Sequence, residues 1–119
     1  MRVIDQTAGI TKLSIDQEEL RAIKSSLVEA LEVVDDHVLE NRMGVGEAGV
    51  RKLMEELKVA YQRAGNRKLV SLDERELGTI KSALVASLEL EDWEFPIRMG
   101  FTKLEVRNVL AEVSDLVSD

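Results

Sequence analysis

Two stretches of the chain decide its fold, because each is a version of the other. They read LSIDQEELRAIKSSLVEALEVVDDH over 13–37 and VSLDERELGTIKSALVASLELEDWE over 70–94. At an offset of 57 positions they share Ser, Asp, Glu-Leu, Ile-Lys-Ser, Leu-Val and Leu-Glu in the same order. After one gap the offset becomes 56, and Arg42-Met43-Gly44 matches Arg98-Met99-Gly100. The identities fall mostly at apolar, capping and turn positions, which indicates an internal duplication with repeats over about 13–63 and 70–119.

Each repeat opens with two overlapping signals for the start of a helix. Ser14-x-x-Gln17 and Ser71-x-x-Glu74 are capping boxes, and Asp16-x-x-Glu19 and Asp73-x-x-Glu76 offer a second start two residues later. Apolar side chains then follow at helical spacing. They are Leu20, Ile23, Leu27, Ala30, Leu31 and Val34 in the first repeat and Leu77, Ile80, Ala83, Leu84 and Leu88 in the second.

The second part of each repeat is a short apolar-bearing piece, a glycine and a longer amphipathic helix. Gly44 and Gly100 stand where a C-capping residue with positive φ is wanted. Thr102-x-x-Glu105 is a further capping box at the start of the last helix. Between the repeats, Gly65-Asn66 is the turn signal of a short linker.

These patterns predict an all-α protein that forms a single domain over 1–119. Each repeat is a helix–turn–helix unit with one apolar face, so two units are expected to close a shared core in a four-helix arrangement with short helical turns. The segments near 10–15 and 67–72 precede the helix starts, and a very short two-stranded β element is left open there.

Composition limits the classes of function. The net charge is −7 and the pI is near 4.8, so a nucleic-acid backbone is disfavoured as a partner and a basic protein is favoured. The chain has no cysteine, and no apolar run approaches the roughly 18 residues of a membrane span. The first ten residues lack the pattern of a signal peptide. We therefore expect a cytoplasmic protein without membrane association and without a cofactor.

An acidic cluster recurs beside the turn of each repeat, and we predict that it contributes to a partner-binding surface. The predicted partner-binding residues are Asp35, Asp36, Glu40 and Arg42 in the first repeat and Asp92, Trp93, Glu94 and Arg98 in the second. Two alternatives stay open. Trp93 and Phe95 either cover the core or anchor a partner, and the arginines either tie the turn to the nearby acids or meet a partner. Calcium-loop spacing is absent, so a metal site is not expected.

The turn around Gly100 also has the spacing of a DNA-reading helix-turn-helix, which is the alternative function. Bacterial regulators of that kind carry a small residue four positions before the glycine, where this chain has Glu40 and Pro96. The would-be reading helix carries Glu105, Glu112 and Asp115, a poor surface for phosphates. His37, the single histidine, has no serine or carboxylate arranged around it as a triad, so an enzyme is not expected.

The stretch Asp92-Trp93-Glu94-Phe95, followed by Arg98-Met99-Gly100, resembles a Trp-Glu-Phe-x-x-Arg-x-Gly turn in small uncharacterised bacterial helical proteins. By size and charge alone, the chain is also similar to immunity proteins, which neutralise a toxin. The turn pattern itself implies no activity. The acidic balance and the lack of a catalytic set favour a small acidic protein-binding module, and the likeness to immunity proteins suggests an immunity- or antitoxin-like inhibitor of a basic partner as its form. A structural or self-associating role, including a homodimer, stays open.

Overall fold

A computed structural model describes residues 1–33 and 35–117, without the side chains of residues 33, 36 and 37. Val34, predicted above as a core residue, therefore lies outside the described part. The strands are β1 (Arg2–Thr7), β2 (Ile10–Asp16) and β3 (Arg67–Asp73). The helices are α1 (Gln17–Val33), α2 (Asp36–Met43), α3 (Glu47–Tyr61), α4 (Glu74–Ser87), α5 (Phe95–Met99) and α6 (Lys103–Leu116).

The prediction of an all-α, four-helix arrangement is wrong. The chain is an α/β protein, 62% helical, in which the described residues form six helices and a three-stranded antiparallel sheet in the order β1-β2-β3. β2 and β3 fall on the two segments left open as extended, but each is seven residues long rather than very short.

β1 escaped the sequence reading because its signals are weak. All six of its residues are exposed, and a bulge between Val3 and Asp5 breaks the alternation that normally marks a strand. The hairpin turn is Ala8-Gly9, with φ of 54° and 80°, so both residues are left-handed as a type I′ turn requires. Ala-Gly does not predict such a turn, whereas Asn-Gly or Asp-Gly would have predicted it.

The two halves of the chain meet at the centre of the sheet. Leu13 on β2 pairs with Val70 on β3, and these two residues also match each other at the 57-residue offset. Each strand is followed by three helices, α1 to α3 in the first half and α4 to α6 in the second. The arrangement therefore has pseudo-twofold character about the Leu13–Val70 pair.

The helix ends follow the local signals. The later of the two predicted starts is used in both halves, because Asp16 and Glu19 exchange side-chain-to-backbone hydrogen bonds, as do Asp73 and Glu76. The Thr102–Glu105 capping box is confirmed. Gly44 and Gly100 end α2 and α5 with φ of 79° and 75°, which confirms the predicted glycine caps.

The core lies between the sheet and the helices and is built from matched residues of both halves. Leu20, Ile23 and Leu27 on α1 are buried, and their counterparts on α4 are buried too (Leu77, Ile80 and Leu84). β2 and β3 close the core with Leu13, Ile15, Val70 and Leu72. Since burying each such side chain contributes roughly 1.5–3 kcal/mol, a large share of the folding free energy depends on contacts between the halves.

Within residues 1–33 and 35–117, no helix is both long and apolar enough to cross a membrane.

Candidate functional site

The two aromatic residues of the second repeat's turn have opposite environments. Trp93 lies in the turn before α5 and is 72% exposed, whereas Phe95, the first residue of α5, is fully buried. The backbone carbonyl of Glu91 accepts hydrogen bonds from the N–H groups of Glu94 and Phe95, each at 3.0 Å, and so fixes the turn. Of the two roles considered above, covering the core fits Phe95 and does not fit Trp93.

Two further large apolar side chains are exposed on α5 and α6, the elements that follow the turn of Trp93. Ile97 on α5 is 78% exposed, and Leu104 at the start of α6 is 66% exposed. The turn is joined to α6 by an ion pair, with Lys103 Nζ 2.6 Å from Asp92 Oδ1. Trp93 and Leu104 are the chain neighbours of the two residues in this pair. We call Trp93, Ile97 and Leu104 the Trp93 surface.

The two halves differ at these exposed positions and agree at the buried ones. Phe95 and Met99 correspond to Leu39 and Met43, and all four side chains are buried. The exposed Ile97 and Leu104 correspond to Asn41 and Ala48 in the first half. Trp93 lies where the offset between the repeats changes from 57 to 56, so its nearest counterpart in the first half is His37, whose side chain is not described. Both halves expose some apolar residues, Val38 in the first turn among them, but at the positions of Ile97 and Leu104 the first half forms the corresponding turn with Asn41 and Ala48.

Arg98 is held by acids of its own turn and of the other half. Its guanidinium contacts Glu94 at 3.0 Å and Glu32 at 3.1 Å, and its Nε lies 2.8 Å from Oε1 of the buried Glu29. These carboxylates, Glu94 first, raise the pKa of Arg98 above its ordinary value, so the guanidinium stays charged. This contact set ties the turn to α1.

Arg42 makes the matching contact in the opposite direction. Its Nη2 lies 2.6 Å from Oε1 of Glu89, which follows α4. Arg42 and Glu89 are the counterparts of Arg98 and Glu32, so the two ion pairs cross between the halves reciprocally. The sequence predicted local pairing, which holds for Glu94 with Arg98, but it did not predict these crossings.

The remaining predicted residues lie at the first repeat's turn. Asp35 is the exposed N-cap of α2, and its side chain makes no capping hydrogen bond. Glu40 is exposed on α2, and its backbone carbonyl accepts from the N–H of Gly44. The side chain of Asp36 lies outside the described residues. Asp92 is tied to Lys103, whose hydrogen bond lowers the pKa of that carboxyl.

Sequence reasoning missed Ile97 and Leu104 as members of this surface. A signal for Leu104 was present in α6, where the apolar positions Val106, Val109 and Val113 face the core and Leu104 falls off that stripe. A leucine off the apolar stripe of an amphipathic helix is expected to be exposed.

The described residues hold no cluster of three or more acids or histidines placed to bind a metal ion. No family model matches the chain, and neither a curated protein nor a solved structure matches it.

Proposed function

We propose that this chain is a small acidic protein-binding module whose Trp93 surface contacts a basic protein partner. One observation carries the proposal. The second half exposes a tryptophan, an isoleucine and a leucine, and the matching positions of the first half carry no large apolar side chain. The buried positions of both turns nevertheless agree. Packing of the turn does not explain this difference, because the first half forms the corresponding turn with Asn41 and Ala48 at two of these positions.

The chemistry of the surface fits a protein interface. Tryptophan is the side chain most enriched among residues that dominate binding energy, since it buries a large rigid area when a partner covers it. Two exposed acids, Glu91 and Asp92, and the half-buried Glu94 lie in the same turn as Trp93 or next to it. An apolar centre with an acidic rim, on a chain of net charge −7, favours a basic partner and steers its approach.

Inhibition of a basic toxin or nuclease, in the manner of an immunity protein or antitoxin, is the specific form of this function that we favour. An acidic protein can cover the cationic site of such an enzyme through charge complementarity. The partner to test first is a basic protein encoded beside the gene of this chain.

The test is a binding titration of the purified partner against wild type and two variants. Trp93 is the single tryptophan, so in wild type its fluorescence reports whether a partner covers it, while the affinities of all three proteins are compared by calorimetry, which does not need the fluorophore. We expect Trp93→Ala to weaken binding by about tenfold or more. Val85→Ala is the matched control, because Val85 is an exposed apolar residue on α4, and we expect it to change affinity by less than about twofold.

Two results would contradict the proposal. One is a partner that binds Trp93→Ala and wild type equally well. The other is the absence of any specific partner, both among the neighbouring gene products and in captures from the native host.

A further inference from the structure

A second surface, on the sheet rather than at the Trp93 turn, is identified by comparing the outer edges of β2 and β3. On the outer edge of β2 lies β1, paired antiparallel, with Arg2 opposite Ser14. The ammonium group of Met1 lies 2.9 Å from Glu19 Oε2 and 3.3 Å from Glu112 Oε1. Burial opposes this charge, but the two carboxylates outweigh burial and raise the pKa of the ammonium.

The other half contains the same two carboxylates at the matching positions. Glu76 corresponds to Glu19, and Glu56 corresponds to Glu112. Glu76 Oε1 accepts from the Asp73 backbone N–H at 2.9 Å, just as Glu19 Oε1 accepts from Asp16 at 3.0 Å. Glu56 and Glu76 line the same groove, and the carboxyl of Glu56 is one of the groups that raise the pKa of Glu76. The pair is therefore built like the one that holds the Met1 ammonium.

In the part of the chain that the structure describes, no ammonium or guanidinium group pairs with these two carboxylates. Burial, together with the neighbouring carboxyl of Glu56, raises the pKa of Glu76 to about 7. Two carboxyl groups this close repel each other when both are ionised, and a cation between them would remove that repulsion.

The strand beside this pair also lacks a neighbour. Within the described part of the chain, β3 pairs with β2 alone, so its other edge is that of an edge strand, on which the Leu69 carbonyl accepts a hydrogen bond from Arg63 Nη1 at 3.4 Å. A groove of about 650 Å³ runs between β3 and α3, with Glu56 and Glu76 among its lining residues. Buried Leu57, Ala60 and Leu72 also line it, together with the exposed Val59 and Leu69, and two cationic residues, Lys12 and Arg63, lie on its walls without an ion pair to Glu56 or Glu76.

We propose that the outer edge of β3 binds an extended peptide in the way that the outer edge of β2 holds β1. The peptide adds as a strand antiparallel to β3, and its free amino terminus lies between Glu56 and Glu76. Main-chain hydrogen bonds to the edge and the apolar contacts of the groove hold the strand, and the paired carboxylates select the charged amino end. The ligand is thus a polypeptide with an exposed, extended amino-terminal segment.

The pseudo-twofold relation supplies both the direction of the strand and the position of its charge. Met1 lies beside Ile15 and the start of α1, and the matching place in the other half is beside Leu72 and the start of α4. This site does not share residues with the Trp93 surface, so it stands or falls independently of the function proposed above.

The experiment uses the full chain and a synthetic peptide of residues 1–7, Met-Arg-Val-Ile-Asp-Gln-Thr, with a free amino terminus. This peptide is the probe because its sequence already forms the equivalent strand on β2. Binding is followed by NMR chemical shifts of backbone amides, which also locate the peptide. We expect saturable shifts in β3 and α3, and a loss of about tenfold or more in affinity when the peptide is N-acetylated.

Variants of the chain test the carboxylates separately from the groove. Glu56→Gln and Glu76→Gln are each expected to weaken binding by about tenfold, and glutamine at position 76 retains the capping box, so the fold is kept. Glu55→Gln is the matched control, an exposed neighbour on the same helix, and should change affinity by less than about twofold. Trp93→Ala should bind the peptide like wild type.

Four results would overturn the inference. Two concern affinity: no binding up to about 1 mM peptide, or equal binding of the free and acetylated peptides. The third is a set of chemical-shift changes confined to β2, which would mean that the peptide displaces β1, and the fourth is a dimer in sedimentation experiments that uses the β3 edge as its interface. Melting temperatures of the variants show whether any loss of binding reflects loss of the fold.

Discussion

Leu13 lies opposite Val70 across the β2–β3 ladder, and each residue is the counterpart of the other in the duplicated sequence. The two halves therefore share one continuous sheet and one core rather than packing as two finished bodies. Arg42 with Glu89, and Arg98 with Glu32, add a reciprocal ion pair at each end of this interface. Neither half is expected to be stable without the other.

Splitting the chain tests this dependence directly. Fragments 1–64 and 65–119, divided at the left-handed Gly65 of the linker, should each show little stable helix in circular dichroism, because each exposes its half of the core. Mixing them should restore a cooperative thermal transition. A stably folded, monomeric 65–119 fragment would contradict the shared core. Scrambled 1–64 peptide serves as the control for non-specific association.

Trp93 and Phe95 should differ sharply in their effect on stability. Phe95→Ala removes a fully buried ring and is expected to lower the free energy of unfolding by about 3–5 kcal/mol. Trp93→Ala alters an exposed side chain and should change it by less than about 0.5 kcal/mol. Urea denaturation monitored by circular dichroism measures both. A large loss in the Trp93 variant would show that its ring packs in the core after all.

Arg98 and Arg42 should also differ, because only Arg98 contacts a buried carboxylate. Arg98→Ala leaves Glu29 without its cation and should lower the melting temperature by roughly 5 °C, while Arg42→Ala, which breaks an exposed pair, should lower it much less. Adding Glu29→Gln to Arg98→Ala should recover most of the loss. If the double variant melts no higher than Arg98→Ala, the buried charge of Glu29 is not the cause.

Glu76 should make stability depend on pH. Its pKa is raised from 4.5 to about 7 in the folded chain, so the folded state prefers the protonated carboxyl. The stability due to this group is fully present below about pH 4.5 and is lost as the pH rises through about 7. Because the group is partly exposed, we expect a loss of only about 1 kcal/mol.

The measurement is the difference in unfolding free energy between wild type and Glu76→Gln at several pH values. Glutamine does not titrate, so between about pH 5 and 8 the free energy of unfolding of the variant should rise relative to that of wild type. The unfolding free energy of the Glu55→Gln control should differ from that of wild type by a constant amount over that pH range. A difference that is constant with pH would show that the pKa of Glu76 is not raised.

Much of the helical framework could be predicted from sequence because its signals are local. A capping box needs residues three positions apart, and a left-handed cap needs a glycine at one position, so Asp73–Glu76, Thr102–Glu105 and Gly100 could be recognised without the fold. Apolar spacing in α1 and α4 gave the buried faces for the same reason.

The sheet and the sites could not be predicted in this way. The edge strand β1 has no buried side and a weak turn signal, so its existence depends on pairing with β2. Trp93 and Phe95 are two residues apart, and only the tertiary structure shows that the Phe95 side chain is buried in the core while the Trp93 side chain is exposed. The Glu56–Glu76 pair joins α3 to the start of α4, and its likeness to Glu19 and Glu112 emerges only once β1 is in position.

The sequence by itself determined the duplication, the helix starts and stops and the composition of the core, because each follows from residues within a few positions of one another or from direct comparison of the two repeats. The tertiary structure decided the sheet, the crossing ion pairs, the exposure of Trp93 and the open edge of β3. Those features depend on how segments far apart in the chain pair and pack against one another, and a pattern within a few neighbouring residues does not contain that information.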